Sequence, residues 1–256
     1  MKINPDKNIG KVLIIVEGLK TEFYLLRKLF TQIFDYTYEK LDRLDKYQKY
    51  NEKEGIESSI FVINTENSAI SYINNSNEYM NALFERLIEK YKFPVDRAAI
   101  YYLFDRDIKS NTDAHFISDL IGALSSSRDV NEMSMMQGLL LLSYPCIESY
   151  TAANFIDRTI DLHFDTGENL KQFLHQNHVN QSKITRSSVL KAVEEMELGL
   201  REIGVSEYDI DDFSPTNRQV FEHQEEFYSS NSKLKCLSLL SVILLDLGII
   251  ELDSDE

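Results

Sequence analysis

The chain has little cysteine, little glycine or proline, and a shortage of positive charge. Its 256 residues include two cysteines, Cys146 and Cys236. That is too few for a disulfide framework, and they lack the paired spacing of a zinc site. A disulfide-stapled secreted scaffold is thereby excluded, and a reducing, cytoplasmic setting is the expectation. Nine glycines and four prolines are spread without any linker-like cluster, so the two halves of the chain should pack on each other. No apolar run reaches the roughly 18 residues of a membrane span. Met1-Lys2-Ile3-Asn4-Pro5 lacks the apolar stretch of a signal peptide. No internal repeat, G-x-G-x-x-G string or P-loop string occurs, so no motif argues for an ATP site within the chain.

The charge balance is 27 Lys and Arg against 42 Asp and Glu, a net −15. This weighs against a simple nucleic-acid binder, because phosphate contacts from a basic patch dominate such affinity. An acidic protein still acts on a polynucleotide if metal ions bridge the phosphate and a local basic strip, or a partner, holds the backbone. Residues 35–58 are the best local strip, mixing Tyr36, Tyr38, Tyr47 and Tyr50 with Lys40, Arg43, Lys46, Lys49 and Lys53. Aromatics stack bases while cations hold phosphates. The alternative is an exposed helix whose tyrosines pack inward, and Glu39, Asp42, Asp45, Glu52 and Glu54 dilute the charge in its favour.

Two apolar runs end in acids. Val12–Val16 leads into Glu17-Gly18, and Ala99–Phe104 leads into Asp105-Arg106-Asp107. Continuous apolar runs are the mark of strands buried on both faces of an α/β sheet. Ligands bind such sheets outside the carboxyl ends of the strands. In extended backbone, residues i and i+2 share a face roughly 6.6 Å apart, so Asp105 and Asp107 would point together and Arg106 away. With Glu17 added, like charges roughly 4 Å apart would repel by about 4 kcal/mol at an effective dielectric near 20. A hard divalent ion relieves this, and Mg²⁺ commonly takes one or two carboxylates plus substrate phosphate. Mg²⁺ or Mn²⁺ is the expected cofactor. Read alone, Asp105-Arg106-Asp107 also fits a solvated turn with a surface ion pair.

The remaining pattern supports an open, mostly parallel central sheet flanked by helices. Strands are expected at 11–16, 59–64, 98–104 and 138–143. Helices are expected at 21–33, 67–91, 113–125 and 147–155, with loops at 109–112 and 125–129. Thr21 stands where an N-cap would help, and Glu22 in the first turn favours the helix dipole. Glu148, which opens a helix, is either a dipole partner or a fourth acid at the same sheet edge. From residue 157 onward the pattern is helical, with helices at 167–177, 185–203, 215–228 and 234–247. The expected organisation is an α/β core over 8–155 with a helical portion, 156–256, packed on it. His175 and His178 have an H-x-x-H spacing without further ligands nearby. The charge runs at 209–212 and 253–256 read as solvated surface.

Val16-Glu17-Gly18 and Asp105-Arg106-Asp107 resemble the two motifs of the Toprim domain, shared by topoisomerases, primases, OLD-type nucleases and small RNA maturases. The string Val16-Glu17-Gly18-Leu19-Lys20-Thr21-Glu22-Phe23-Tyr24 is similar to the RloB-like branch, with its E-G-x-x-T-E-x-x-Y opening. Ser143-Tyr144-Pro145-Cys146-Ile147-Glu148-Ser149-Tyr150 resembles that branch's S-N-P-C-F-E-L-W segment, departing at Tyr144, Ile147, Ser149 and Tyr150. The resemblance covers roughly residues 10–155. It implies a Toprim-like fold and a metal-dependent nuclease acting on RNA or DNA, as the effector of a phage-defence or restriction-associated system. Glu17, Asp105 and Asp107 would be catalytic, and Glu148 would join them around the metal. Gly18, Lys20, Thr21, Glu22, Arg106 and Lys109 would contact or position substrate. The other reading it leaves open is a non-catalytic or partner-gated effector module held by a partner ATPase. Topoisomerase or primase activity is disfavoured, because no nucleophilic-tyrosine domain or template-binding region is evident.

Overall fold

The computed structural model describes every residue except 43, 66–69, 74–77, 134–135 and 253–256. In chain order the first half holds β1 (Lys2–Ile3), β2 (Lys11–Val16), α1 (Thr21–Arg27), β3 (Thr37–Leu41), β4 (Leu44–Asn51), β5 (Ile56–Asn64), α2 (Glu78–Tyr91), β6 (Ala98–Asp105) and α3 (Ala114–Ala123). There follow β7 (Ser125–Asn131), β8 (Met136–Tyr144), α4 (Glu148–Ala153), β9 (His163–Phe164), α5 (Gly167–Gln176) and α6 (Arg186–Glu202). The chain closes with α7 (Ser214–Asn231), β10 (Leu234–Lys235), β11 (Leu237–Ser238), α8 (Leu240–Asp246) and β12 (Ile250–Glu251). The main sheet has eight strands in the order β11-β8-β6-β2-β5-β4-β3, with β7 also paired to β8.

The apolar runs become the middle of this sheet. β2, β6 and β8 are buried along almost their whole length, which requires cover on both faces. β5, β2, β6 and β8 are mutually parallel, and the outer strands β3, β4, β7 and β11 run antiparallel to their neighbours. The fold is therefore α/β with a mixed sheet and a parallel centre. From β2 the chain goes first to β5 on one side, then to β6 and β8 on the other. That reversal leaves a crevice beyond the carboxyl ends of β2 and β6, where open α/β sheets take their ligands.

Residues 156–256 do not form a separate core. A single apolar cluster runs from Val12 to Ile250, α7 lies against α3 and β8, and β11 adds a strand to the main sheet. Helix ends follow local chemistry. Asp113 caps α3 by accepting from Phe116 N, Thr166 caps α5 by accepting from Asn169 N, and Thr185 forms a reciprocal capping box with Ser188.

Several expectations are corrected. Residues 35–58 are not a helix: they form most of the antiparallel pair β3–β4 and the start of β5. Strand alternation, not helical spacing, sorts the tyrosines, with Tyr47 buried and Tyr50 exposed. Arg43 lies outside the described residues. The 125–129 loop is the start of β7, which follows β8 through an irregularity between Ser126 and Val130. The helix expected over 67–91 is α2, beginning at Glu78, preceded by a short 3-10 turn at Ile70–Tyr72; residues 67–69 and 74–77 lie outside the described residues. The helix expected over 21–33 changes to π-helical geometry at Lys28, and its N-cap is Lys20 rather than Thr21. The stretch 234–247 is two short strands followed by α8.

The strip's charges are spent inside the fold. Asp45, with no exposed surface, accepts from Arg27 Nη2 at 2.8 Å, Lys40 Nζ at 2.9 Å and the Tyr38 and Tyr47 hydroxyls, each at 3.1 Å. Burial opposes its charge, but the bonds from Arg27 and Lys40 outweigh burial and hold its carboxyl below the usual range. Asp45→Ala should therefore destabilise the protein by about 1.5–3 kcal/mol, as expected for charge-assisted bonds. Chemical denaturation of the variant checks this, and a loss below about 0.5 kcal/mol, the ordinary surface range, would make the cluster incidental.

Candidate functional site

β2 pairs with β6 so that Val16 stands level with Leu103, and the next residues, Glu17 and Phe104–Asp105, meet at the crevice. Glu17 Oε2 accepts a hydrogen bond from Asp105 N at 2.9 Å. Asn111 closes the group from below, its Nδ2 donating to Asp105 O at 3.2 Å. The two motifs are thus joined directly.

Glu22 arrives from the first turn of α1. Its Oε1 accepts from Gly18 N at 3.1 Å. A Cβ at position 18 would lie 2.7 and 2.8 Å from the two carboxylate oxygens of Glu22. Gly18 has no positive φ, so the glycine is needed for this close approach and not for a turn.

The other wall comes from the segment after β8. Asp105 Oδ1 accepts from Ile147 N at 2.7 Å, which places Cys146 and Glu148 on either side of that bond. One ligand atom each from Asp105, Cys146 and Glu148 lies within 4.8 Å of the others. Glu148 Oε1 faces Lys171 Nζ of α5 at 3.7 Å, and Glu148 Oε2 is buried without a hydrogen-bond partner. An unpaired buried carboxylate oxygen beside two further donors fits a cation.

Asp107 behaves differently from expectation. β6 ends at Asp105, and the chain then turns instead of continuing extended. Asp107 accepts from Lys109 N at 3.0 Å and from the Ser110 hydroxyl, and its carbonyl accepts from Asn111 N at 2.8 Å. Its charge still bears on Glu17, but it is the turn's acceptor and does not stand side by side with Asp105. Arg106 is 2 % exposed and points inward. Its guanidinium bonds Glu225 twice and Asn111 O once, so its role is positioning. Lys20 and Lys109 are exposed, and Thr21 lines a cleft beside Glu148. His175 and His178 belong to no ligand group among the described residues.

The acids repel one another. Burial is the main cause that lifts the Glu17 carboxyl from the ordinary 4.5 to about 7, with Glu22 and Asp107 adding to it and the bond from Asp105 N opposing. Burial also raises Glu22, with Glu148 contributing. Asp105 is pushed well above the usual range by burial and then by Glu17, Glu22 and Glu148. The sign for stability follows. A carboxyl whose folded pKa is raised binds its proton more tightly in the folded state, so metal-free stability is greatest in acid and declines as pH rises from the unfolded value. For Glu17 the decline should run between pH 4.5 and about 7. Its size is on the order of 3 kcal/mol. Melting curves from pH 4 to 8 in chelator should show this decline, and saturating Mn²⁺ should flatten it. A metal-free melting temperature that rises through that window would contradict the burial of Glu17.

Sequence reasoning missed Cys146, Asn111 and Lys171 as members of the site. Cys146 sits within the third motif, but its sulfur's direction is set by the turn after Tyr144. Asn111 lies six residues past Asp105, where a loop returns. Lys171 comes from α5, and nothing local to it marks the contact. No family model matches the chain, and no curated protein or solved structure matches it.

Proposed function

We propose that this chain is a metal-dependent phosphodiesterase with a Toprim-like core, acting on RNA or DNA in the cytoplasm as the effector of a defence or restriction-associated system. The observation that carries this reading is the Glu17–Asp105 junction at the switch point of the sheet, with Glu22, Asp107 and Glu148 close enough to raise its proton affinities. Among the described residues no helix is long and apolar enough to cross a membrane, in keeping with that setting.

Asp105 and Glu148 would hold Mg²⁺ or Mn²⁺, with Glu17 close by and Asp107 reaching through water. The sulfur of Cys146 in this set favours Mn²⁺ over Mg²⁺. Such an ion, when bound, polarises a phosphoryl oxygen and makes water a better nucleophile at neutral pH. Glu17, with a proton affinity near neutrality, takes or gives the proton of the reacting oxygen. Asp105 keeps the orientation fixed by Ile147 N, and Asn111 and Arg106 hold the turn that follows.

One observation favours partner gating as the second reading. The β3–β4 strip offers little to nucleic acid: Lys40 is bound to Asp45, and Lys49 donates to Pro5 O and Phe34 O. With a net charge of −15, affinity for a polynucleotide would come largely from a partner, such as the ATPase that the family resemblance implies.

The test is cleavage of plasmid, single-stranded DNA, single-stranded RNA and tRNA with Mg²⁺ or Mn²⁺, alone and with any partner encoded beside it. Metal should also raise the melting temperature through linkage. The double change Asp105→Asn with Asp107→Asn should raise the metal-free melting temperature and abolish the metal response. An unchanged response would locate the ion elsewhere. Absence of cleavage with an activated partner present would leave the effector without catalysis.

A further inference from the structure

We propose that the cleft on the far side of Glu148 is a subsite for one nucleotide of a single strand, its phosphate held by Lys171 and Thr151. The proposal rests on the phosphodiesterase reading of the adjacent acids and adds the substrate's seat to it. The cleft has a volume of about 250 Å³ and lies between the start of α1, α4, α5 and the segment after α5. Pockets for drug-sized ligands run roughly 300–1,000 Å³, so this one suits a single nucleotide and excludes a duplex.

Its polar groups are unfinished. Thr151 is 2 % exposed, and its hydroxyl has no hydrogen-bond partner although it lines the cleft. Buried hydroxyls are nearly always bonded, so an unpartnered one on a cleft wall marks where a ligand atom belongs. Lys171 Nζ stands 3.7 Å from Glu148 Oε1, beyond hydrogen-bond range, which leaves its donors for a phosphate. His175, one helical turn along α5, lines the same cleft. Leu174 and Val179 supply an apolar wall against which a sugar or base edge can lie. Glu148 is shared between this cleft and the acid cluster, so a nucleotide seated here has its neighbouring phosphodiester beside Glu17 and Asp105. The C-terminal portion thus supplies the substrate-holding side of a site whose acids come from the first 150 residues.

The experiment uses the full chain with Ca²⁺ and titrates the four common nucleoside 5′-monophosphates, inorganic phosphate and the free nucleosides, followed by calorimetry. At least one monophosphate should bind saturably and more tightly than phosphate or its nucleoside. Lys171→Met and Thr151→Val should each weaken it at least tenfold. Thr151→Ser and the remote Lys53→Met should bind as the wild type does. Melting temperatures identify any variant that fails to fold, and the half-exposed Lys171 is the safer of the two. No binding, binding of phosphate as tight as nucleotide (an inorganic anion site), or affinity unmoved in both variants would overturn the subsite. Lysine-dependent nucleotide binding without cleavage of any polymer would keep the subsite and remove the phosphodiesterase reading. Cleavage without mononucleotide binding would remove the subsite alone.

Discussion

Glu17→Gln is expected to slow metal-dependent strand cleavage by about 10²–10⁴-fold, the usual contribution of a positioned acid or base, with the fold intact. The substitution keeps shape and one oxygen acceptor, so the 2.9 Å bond from Asp105 N survives. What it removes is the exchangeable proton and a negative charge. Because Glu17 repels Glu22 and Asp107, the variant should melt slightly higher than the wild type without metal. Substrate binding should persist, since phosphate is held by the ion and by cations. The informative measurement is single-turnover cleavage of single-stranded RNA and DNA with Mn²⁺, wild type beside variant, with a partner if one exists. Equal rates would mean a contaminating activity or a purely structural Glu17. A loss of metal-induced stabilisation as large as that of the Asp105–Asp107 double variant would make Glu17 chiefly a ligand.

The parts of this site that could be read from sequence are those with local causes. β2, β6 and β8 are buried on both faces, and two-sided burial writes itself as an unbroken apolar run. The acids at their ends are legible for the same reason. Asp107 was placed wrongly because i, i+2 geometry holds only while the strand continues, and β6 stops at Asp105. What stops it is long-range: Arg106 turns inward to a partner, Glu225, 119 residues further on. The β3–β4 pair was hidden because its alternation carries lysine, glutamate and tyrosine, residues that any exposed face tolerates. Lys171 reaches Glu148 only through the packing of α5 on α4, which no spacing near either residue announces.

That long-range anchor carries the second large effect. Arg106 bonds Glu225 Oε1 through Nε at 2.7 Å and Oε2 through Nη2 at 2.9 Å, and its Nη1 donates to Asn111 O at 2.7 Å. The arginine side chain is 2 % exposed and that of Glu225 is 23 %. The two ends are therefore unequal. Glu225→Ala strands a guanidinium in the interior and should cost about 3–5 kcal/mol, or roughly 2–4 °C of melting temperature per kcal/mol in a chain of this size. Arg106→Met fills the space with an apolar chain and leaves a carboxylate that water can reach, so its cost should be smaller. Pairing Arg106→Met with Glu225→Leu should recover much of the Glu225→Ala loss, because the buried charge is gone. Function should separate from stability in these variants. Arg106 lies between Asp105 and Asp107 and fixes Asn111, which bonds Asp105 O; without the guanidinium the turn from Asp107 to Asn111 loses its tether. The double variant should then be stable yet bind Mn²⁺ more weakly than the wild type. A double variant with wild-type metal affinity would mean that the turn is held by its own bonds, from Lys109 N, Ser110 and Asn111 N to Asp107, and that Arg106 serves the core alone.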